Sequence, residues 1–307
     1  MSTALFIEQS LNGFQLGVML FLMAAGLTLV FGIMDLINLA HGSFYMVGAY
    51  LAATFARWLD HFLLGVLLAL PAAALVGLIV DRVALRTLYR RDHLDQVLAT
   101  FGLILFFNEL VRLIWGPVPI PFDPPELLSG TVEVWPGVGY PAFRLAIIAV
   151  GLGVALGLWL LITRTRLGMR IRAGASNREM VTALGVNVPT LFTLVFALGA
   201  ALAALAGAMR GPILAVEVGM GEEILILTFV VIVIGGIGSI RGALVGSLLV
   251  GLVDTFGRAL LPDLFALMLH DASAASSVGA SAASMSIYVL MAVVLAFRPR
   301  GLFPAHG

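Results

Sequence analysis

The chain contains no cysteine and no lysine, and only five histidines. The first absence removes disulfides, thiolate nucleophiles and cysteine-ligated metals together, while leaving the redox compartment open. The second removes the phosphate loop G-x-x-x-x-G-K-[ST], so ATP is not held by this chain in that manner. Scattered histidines offer no metal-ligand spacing. No H-E-x-x-H is present and no nucleophile has a base beside it, so no catalytic residue and no metal site are assigned. Charge is scarce as well: 11% of 307 residues, against about 25% in an ordinary soluble domain. Seventeen arginines balance 17 carboxylates, and with no basic run the chain has no electrostatic footprint for nucleic acid.

What fills the chain instead is apolar: 61% of residues, with a mean hydropathy of +1.09. That composition belongs to a polytopic membrane protein. About 20 apolar residues cross a bilayer's hydrocarbon core. On that ruler the segments fall near 11–33, 36–57, 62–81, 96–115, 143–163, 190–210, 223–238, 241–261 and 285–298, eight or nine spans in all, because the seventh is short. The expected fold is all-α, a transmembrane helical bundle forming a single domain over residues 1–307. The first arginine is Arg57, so the run from about Leu11 reads as a retained span rather than a cleaved signal.

Arginine placement orients the spans. Arg82, Arg86, Arg90 and Arg91 occupy one connection, Arg164, Arg166, Arg170, Arg172 and Arg178 another, with Arg241 at a bend and Arg298 and Arg300 in the tail. The positive-inside rule places these in the cytoplasm. The arginine-poor connections, 116–142 and 262–284, then face outward. The first holds seven prolines and cannot be a helix. The second contains an Ala/Ser/Gly run from Ala272 to Ser284, which predicts a flexible loop.

The longest polar island is 164–189. Ser176 and Glu179 have capping-box spacing, Gly185 stands where a left-handed cap ends a helix, and Pro189 delays the next. A helix of about two turns is marginal alone and needs packing, for which Met180, Val181 and Leu184 offer an apolar face. Two readings stand open from these residues: a helix resting on this chain or on headgroups, or a docking helix for a separate soluble subunit.

Two further segments interrupt hydrophobicity. Gly32 to Ser43 does so with Asp35, Asn38 and His41, and Gly235 to Gly242 with four glycines and Arg241. Interrupted spans point to a transporter path, since unwound backbone at membrane depth needs protein or a water-filled cavity to satisfy it. A cytoplasmic turn between two spans is the reading the boundaries favour, since both segments lie at about that edge. Small-residue stripes at Gly199 to Gly207 and at Gly242, Gly246 and Gly251 predict close helix contacts. Asp254 with Arg258, and Glu109 with Arg112, have the spacing to neutralise each other on one helix face.

The segments Asn12-Gly13 with Gly17, Gly26 to Tyr50 (GLTLVFGIMDLINLAHGSFYMVGAY), Arg164 to Ala173 with Asn177 and Ala183 to Asn187, Ile234 to Gly246, and Arg298 to Phe303 occur in the order found in one family. Together they resemble the Liv-type permeases of branched-chain amino acid ABC importers. The resemblance implies a transmembrane permease subunit without a directly bound cofactor. It also implies a second permease subunit, two cytoplasmic ABC ATPase subunits that bind ATP and magnesium, and an extracytoplasmic solute-binding protein, all in a bacterial-type inner membrane. It assigns Arg172, Ser176, Asn177, Glu179, Leu184 and Gly185 to contact with the ATPase, while the interrupted spans themselves make Asn38, His41, Gly42, Gly235, Gly236 and Gly238 the candidates for a translocation path. Relatives import urea, amides or aromatic acids as well, and the run Ala272 to Ser284 departs from the family's last external loop. A stand-alone carrier or channel is the rival reading; it needs its own ion-coupling carboxylate, for which Asp254 and Glu109 are the candidates.

Overall fold

The computed structural model describes residues 3–268 and 272–304. Each of the nine apolar segments becomes a helix: α1 (Thr3–Met34), α2 (His41–Leu59), α3 (Phe62–Val83), α4 (His93–Trp115), α5 (Ala142–Arg164), α8 (Val188–Arg210), α9 (Met220–Gly235), α10 (Ile240–Met268) and α11 (Ala272–Phe297). Between α5 and α8 lie the short helices α6 (Arg166–Ser176) and α7 (Arg178–Ala183), and a hairpin of β1 (Thr131–Trp135) and β2 (Val138–Pro141) precedes α5. Among the described residues seven helices are long and apolar enough to cross a membrane, making this an all-α polytopic protein. The other two long segments differ for physical reasons. At 16 residues α9 is short of a bilayer, and α2 opens on the polar triplet His41-Gly42-Ser43 and is wrapped by protein.

The fold divides into two compact units, residues 1–21, 126–151 and 228–307, and residues 22–125 and 152–227. In the second unit α2 is the core element. From His41 to Ala53 all but Leu51 are buried, because small residues bring neighbouring backbones against it. A Cβ on Gly48 would lie 2.2 Å from the Ala204 Cα of α8, and one on Gly207 only 2.0 Å from the Tyr45 carbonyl oxygen. Aromatic rings fill the remaining volume: Phe44 meets Phe196 edge-on at 5.5 Å and Phe107 at 5.9 Å. The outward face of α3, with Leu63, Leu67, Leu75 and Ile79, is about half exposed or more, as a lipid-facing surface should be. At its far end Asp81 is buried, accepting hydrogen bonds from the Thr193 hydroxyl of α8 at 2.7 Å and from the Tyr89 phenol.

In the first unit α10 and α11 run against each other, with Gly279 against Pro262 and Gly257 against Ala283. The segment expected to be an external flexible loop, 262–284, is instead helical in all its described residues. Pro262 lies within α10, and the Ala/Ser run forms the first half of α11. Alanine is the best helix former, and small side chains let membrane helices approach closely, so the same composition serves packing rather than flexibility. Gly13 and Gly17 of α1 pack on α10 at Leu252 and Leu248. Asn12 Oδ1 accepts from Tyr140 Oη at 3.0 Å and Arg144 at 2.6 Å, tying the hairpin's end to α1. Asp254 is buried and pairs with Arg258 at 2.9 Å, as its spacing predicted.

Candidate functional site

The arginine-rich island folds as two helices. Thr165 caps α6, its hydroxyl accepting from Gly168 N at 3.0 Å, and a Cβ on Gly168 would lie 2.2 Å from the Leu161 carbonyl oxygen, so α6 turns back tightly on the end of α5. Arg172 donates to the Ile162 carbonyl across that turn. The predicted cap on α7 moves by one residue: Asn177, not Ser176, is the N-cap, its side chain accepting from Met180 N at 2.9 Å. Asparagine caps at least as well as serine, and Ser176 is already the last residue of α6. Glu179 lies in the first turn of α7, on the favourable side of the helix dipole. Gly185 closes it with φ +83°, in the left-handed region the sequence called for. Pro189, expected to delay the next helix, sits in the first turn of α8, where its missing N–H costs nothing.

This places Arg172, Ser176, Asn177, Glu179, Leu184 and Gly185 together on one surface of the second unit, all exposed. The apolar face of α7 splits. Val181 is buried and holds the helix down, whereas Met180 is 59% and Leu184 75% exposed. Arg178 lies over the Phe192 ring at 5.5 Å, and Phe192 meets Tyr89 edge-on at the same distance. The short helix is therefore tied to α8 and to the 3-10 turn Leu85–Arg90 while presenting two apolar side chains outward.

The break between α1 and α2 covers residues 35–40. Asp35 takes φ 51°, unusual for a residue with a Cβ, and is exposed at the turn. Asn38 is fully buried with neither side-chain atom hydrogen-bonded among the described residues, and His41, also buried, finds no partner there at Nε2. An unmet buried polar group costs about 1–3 kcal/mol. The His41 ring lies against Gly26, whose Cβ would come within 3.0 Å of it. Gly42 meets Gly221 backbone to backbone, bringing the first turns of α2 and α9 together. Beside them is a shallow cleft lined by Leu39, Met46, Ile104, Leu225 and the pair Asn108 Nδ2 to Glu222 Oε1 at 2.6 Å.

Gly235, Gly236 and Gly238 belong to the first unit, apart from the Asn38, His41 and Gly42 set in the second. Gly235 packs on Gly242, and Gly236 and Gly238 take φ of +106° and +83° to turn the chain from α9 into α10. The tail completes this corner: Leu302 N and Phe303 N donate to the Ile234 and Gly235 carbonyls, each at 2.9 Å, so residues from the end of the chain cap α9.

Spacing did not single out Gln96, Asp81 or the Asn108–Glu222 pair. The available signal for Gln96 was its spacing from Thr100, four residues on, which sets two polar residues on one face of an apolar helix.

A sequence profile of the family described as branched-chain amino acid transport system / permease component matches residues 10–296. The chain belongs to this family. It is 33% identical to the high-affinity branched-chain amino acid transport system permease protein BraD of Pseudomonas aeruginosa, over 97% of this chain and 95% of that one. It is 32% identical to the permease protein LivH of Salmonella typhimurium over 83% of this chain and 87% of the relative. The ribose import permease protein RbsC of Escherichia coli is 28% identical over 76% of this chain and 72% of its own. No solved structure matches. The chain is thus a permease component and a multi-pass membrane protein.

Proposed function

We propose that this permease is the membrane-spanning subunit of an ATP-driven importer for branched-chain or related amino acids in a bacterial inner membrane. It works with a second permease subunit, two cytoplasmic ABC ATPase subunits and an extracytoplasmic solute-binding protein. ATP and magnesium act on the ATPase subunits, and this chain supplies the path. The observation that carries the reading is α7, short, capped at both ends, and exposing Met180 and Leu184 amid arginines. Two adjacent exposed apolar side chains on a capped helix suit a contact with a partner protein. Closure of the ATPase pair would press on α7 and tilt α5 and α8, which flank the loop. The rival carrier reading would rest on Asp254 or Glu109, each of which lies beside an arginine of its own helix.

The test is reconstitution with the neighbouring ATPase and binding-protein subunits. Met180→Asp with Leu184→Asp is expected to abolish co-purification of the ATPase while leaving the chain's thermal stability within the wild-type range. Replacing Glu179 and Gly185 should reduce substrate-stimulated ATPase. Unchanged assembly and ATPase in both variants, or uphill uptake by the isolated chain on an ion gradient, refutes the proposal. Uptake competition among branched-chain amino acids, short amides and ribose assigns the solute.

A further inference from the structure

Residues 35–40 belong to no helix, so their backbone groups need partners elsewhere. The amide of Ile37 finds one 59 residues away: it donates to Gln96 Oε1 at 3.2 Å. The same side chain donates through Nε2 to the Leu88 carbonyl at 3.3 Å and the Arg91 carbonyl at 3.2 Å, both in the turn that precedes α4. Gln96 is 3% exposed, and Thr100, one turn on, points its hydroxyl toward the Ile37 carbonyl at 3.5 Å while bonding the Gln96 carbonyl at 2.7 Å. One buried amide therefore joins the break to the 85–91 turn. That turn is where α7 bears, through Arg178 on Phe192 and Phe192 on Tyr89.

We propose that Gln96 is a positioning residue that links the 85–91 turn to the break at 35–40, so that displacement of α7 resets the break and the buried Asn38 within it. The proposal rests on the transport reading above. Asn38 gives the break a reason to have two arrangements. Its amide is fully buried with no partner among the described residues, one residue from the Ile37 amide that Gln96 holds. A shift of the turn frees the segment to bring Asn38 to a partner on solute or protein. A buried polar group whose bonds are met in only one of two arrangements biases the equilibrium between them.

The experiment compares wild type, Gln96→Met, which keeps the shape and removes the hydrogen bonds of the side-chain amide, and Arg178→Ala, within the complete transporter in nanodiscs. Hydrogen exchange of the 35–40 peptide is read with and without nucleotide, beside ATPase rate and uptake in proteoliposomes. In wild type, nucleotide is expected to change the protection of Ile37. In Gln96→Met that response should vanish and uptake per ATP hydrolysed should fall about tenfold, with ATPase assembly intact and ATPase rate within about twofold. Arg178→Ala should weaken the nucleotide response without altering Ile37 protection in its absence. Unchanged coupling in Gln96→Met overturns the proposal. So does a parallel loss of assembly, ATPase and uptake, which marks a merely structural role. A wild-type chain that captures no ATPase overturns the transport reading itself, and is distinguished because failure of the proposal alone is read against an active wild type.

Discussion

Gly207→Ala adds one methyl group to α8 where the structure has no room for it. The new Cβ would stand 2.0 Å from the Tyr45 carbonyl oxygen of α2, and ordinary contact begins near 3.4 Å. The obstacle is backbone rather than a flexible side chain, so relief requires α2 and α8 to part. Opening a gap of even 0.5–1 Å forfeits a quarter to a half of the dispersion energy of facing atoms. Inserted methylenes in packed cores cost about 1–3 kcal/mol when side chains can yield; with backbone in the way the upper figure applies, roughly 3 kcal/mol. Unfolding in mixed micelles of rising SDS fraction measures it. Gly153→Ala is the control, since a Cβ there meets nothing within 4 Å and should stabilise α5 by about 0.5–1 kcal/mol through helix propensity. Gly48→Ala clashes with Ala204 at 2.2 Å on the same interface. Once one substitution has parted the helices, the second should cost less, so the double variant falls short of the sum. A Gly207→Ala chain as stable as wild type would refute the claim that backbone proximity holds α2 in place.

Arg258→Met leaves the carboxylate of Asp254, 8% exposed, without its 2.9 Å partner; it should cost about 1–3 kcal/mol, less than a fully buried pair because Arg258 is 58% exposed, and Asp254→Asn added to it should restore most of the loss on the same SDS titration. Removing the residues after Pro299 takes the Leu302 and Phe303 donors from the end of α9, so melting of the detergent-purified chain should fall by an amount corresponding to about 1–3 kcal/mol per orphaned carbonyl, and a truncated chain that melts like the full one contradicts the capping role. Thr193→Val deprives the buried Asp81 of a hydrogen bond to a charged group, expected to cost about 1.5–3 kcal/mol, with Tyr89→Phe adding to it.

The helices were legible because twenty-residue apolar runs have few other uses, and both intrahelical ion pairs followed from spacing alone. The Ala272–Ser284 run misled because its composition serves two ends: in water it makes a flexible linker, and against α10 it makes a close-packing surface, with Ala275 and Ala283 almost wholly buried. Nothing local distinguishes the two, since the difference lies in having a partner helix. The cap on α7 slipped by one residue because α6 continues through Ser176, a tertiary fact set by Gly168 packing on the end of α5. Gln96 was hidden for the same reason: Ile37, Leu88 and Arg91, which its side chain bonds, lie on segments whose proximity only the fold creates.

The break at 35–40 is more enclosed than the cytoplasmic turn favoured by its sequence would require. A turn in water between two spans would expose its polar side chains, and at Asp35 it does. Three residues on, Asn38 is buried, and His41 and Ser43 follow it inward on the buried first turns of α2. Lipid does not touch these groups, so hydrocarbon insertion cost is not what governs them; satisfaction by protein is. Ser43 lines the cleft with Asn108 and Glu222, while Asn38 and His41 Nε2 have no hydrogen-bond partner among the described residues. A solvent turn would relieve that cost at once by exposing the groups, and a purely structural one would have paired them. Burial without pairing, at a segment pinned by one glutamine, is the arrangement expected of a chain that has a second resting position for this break.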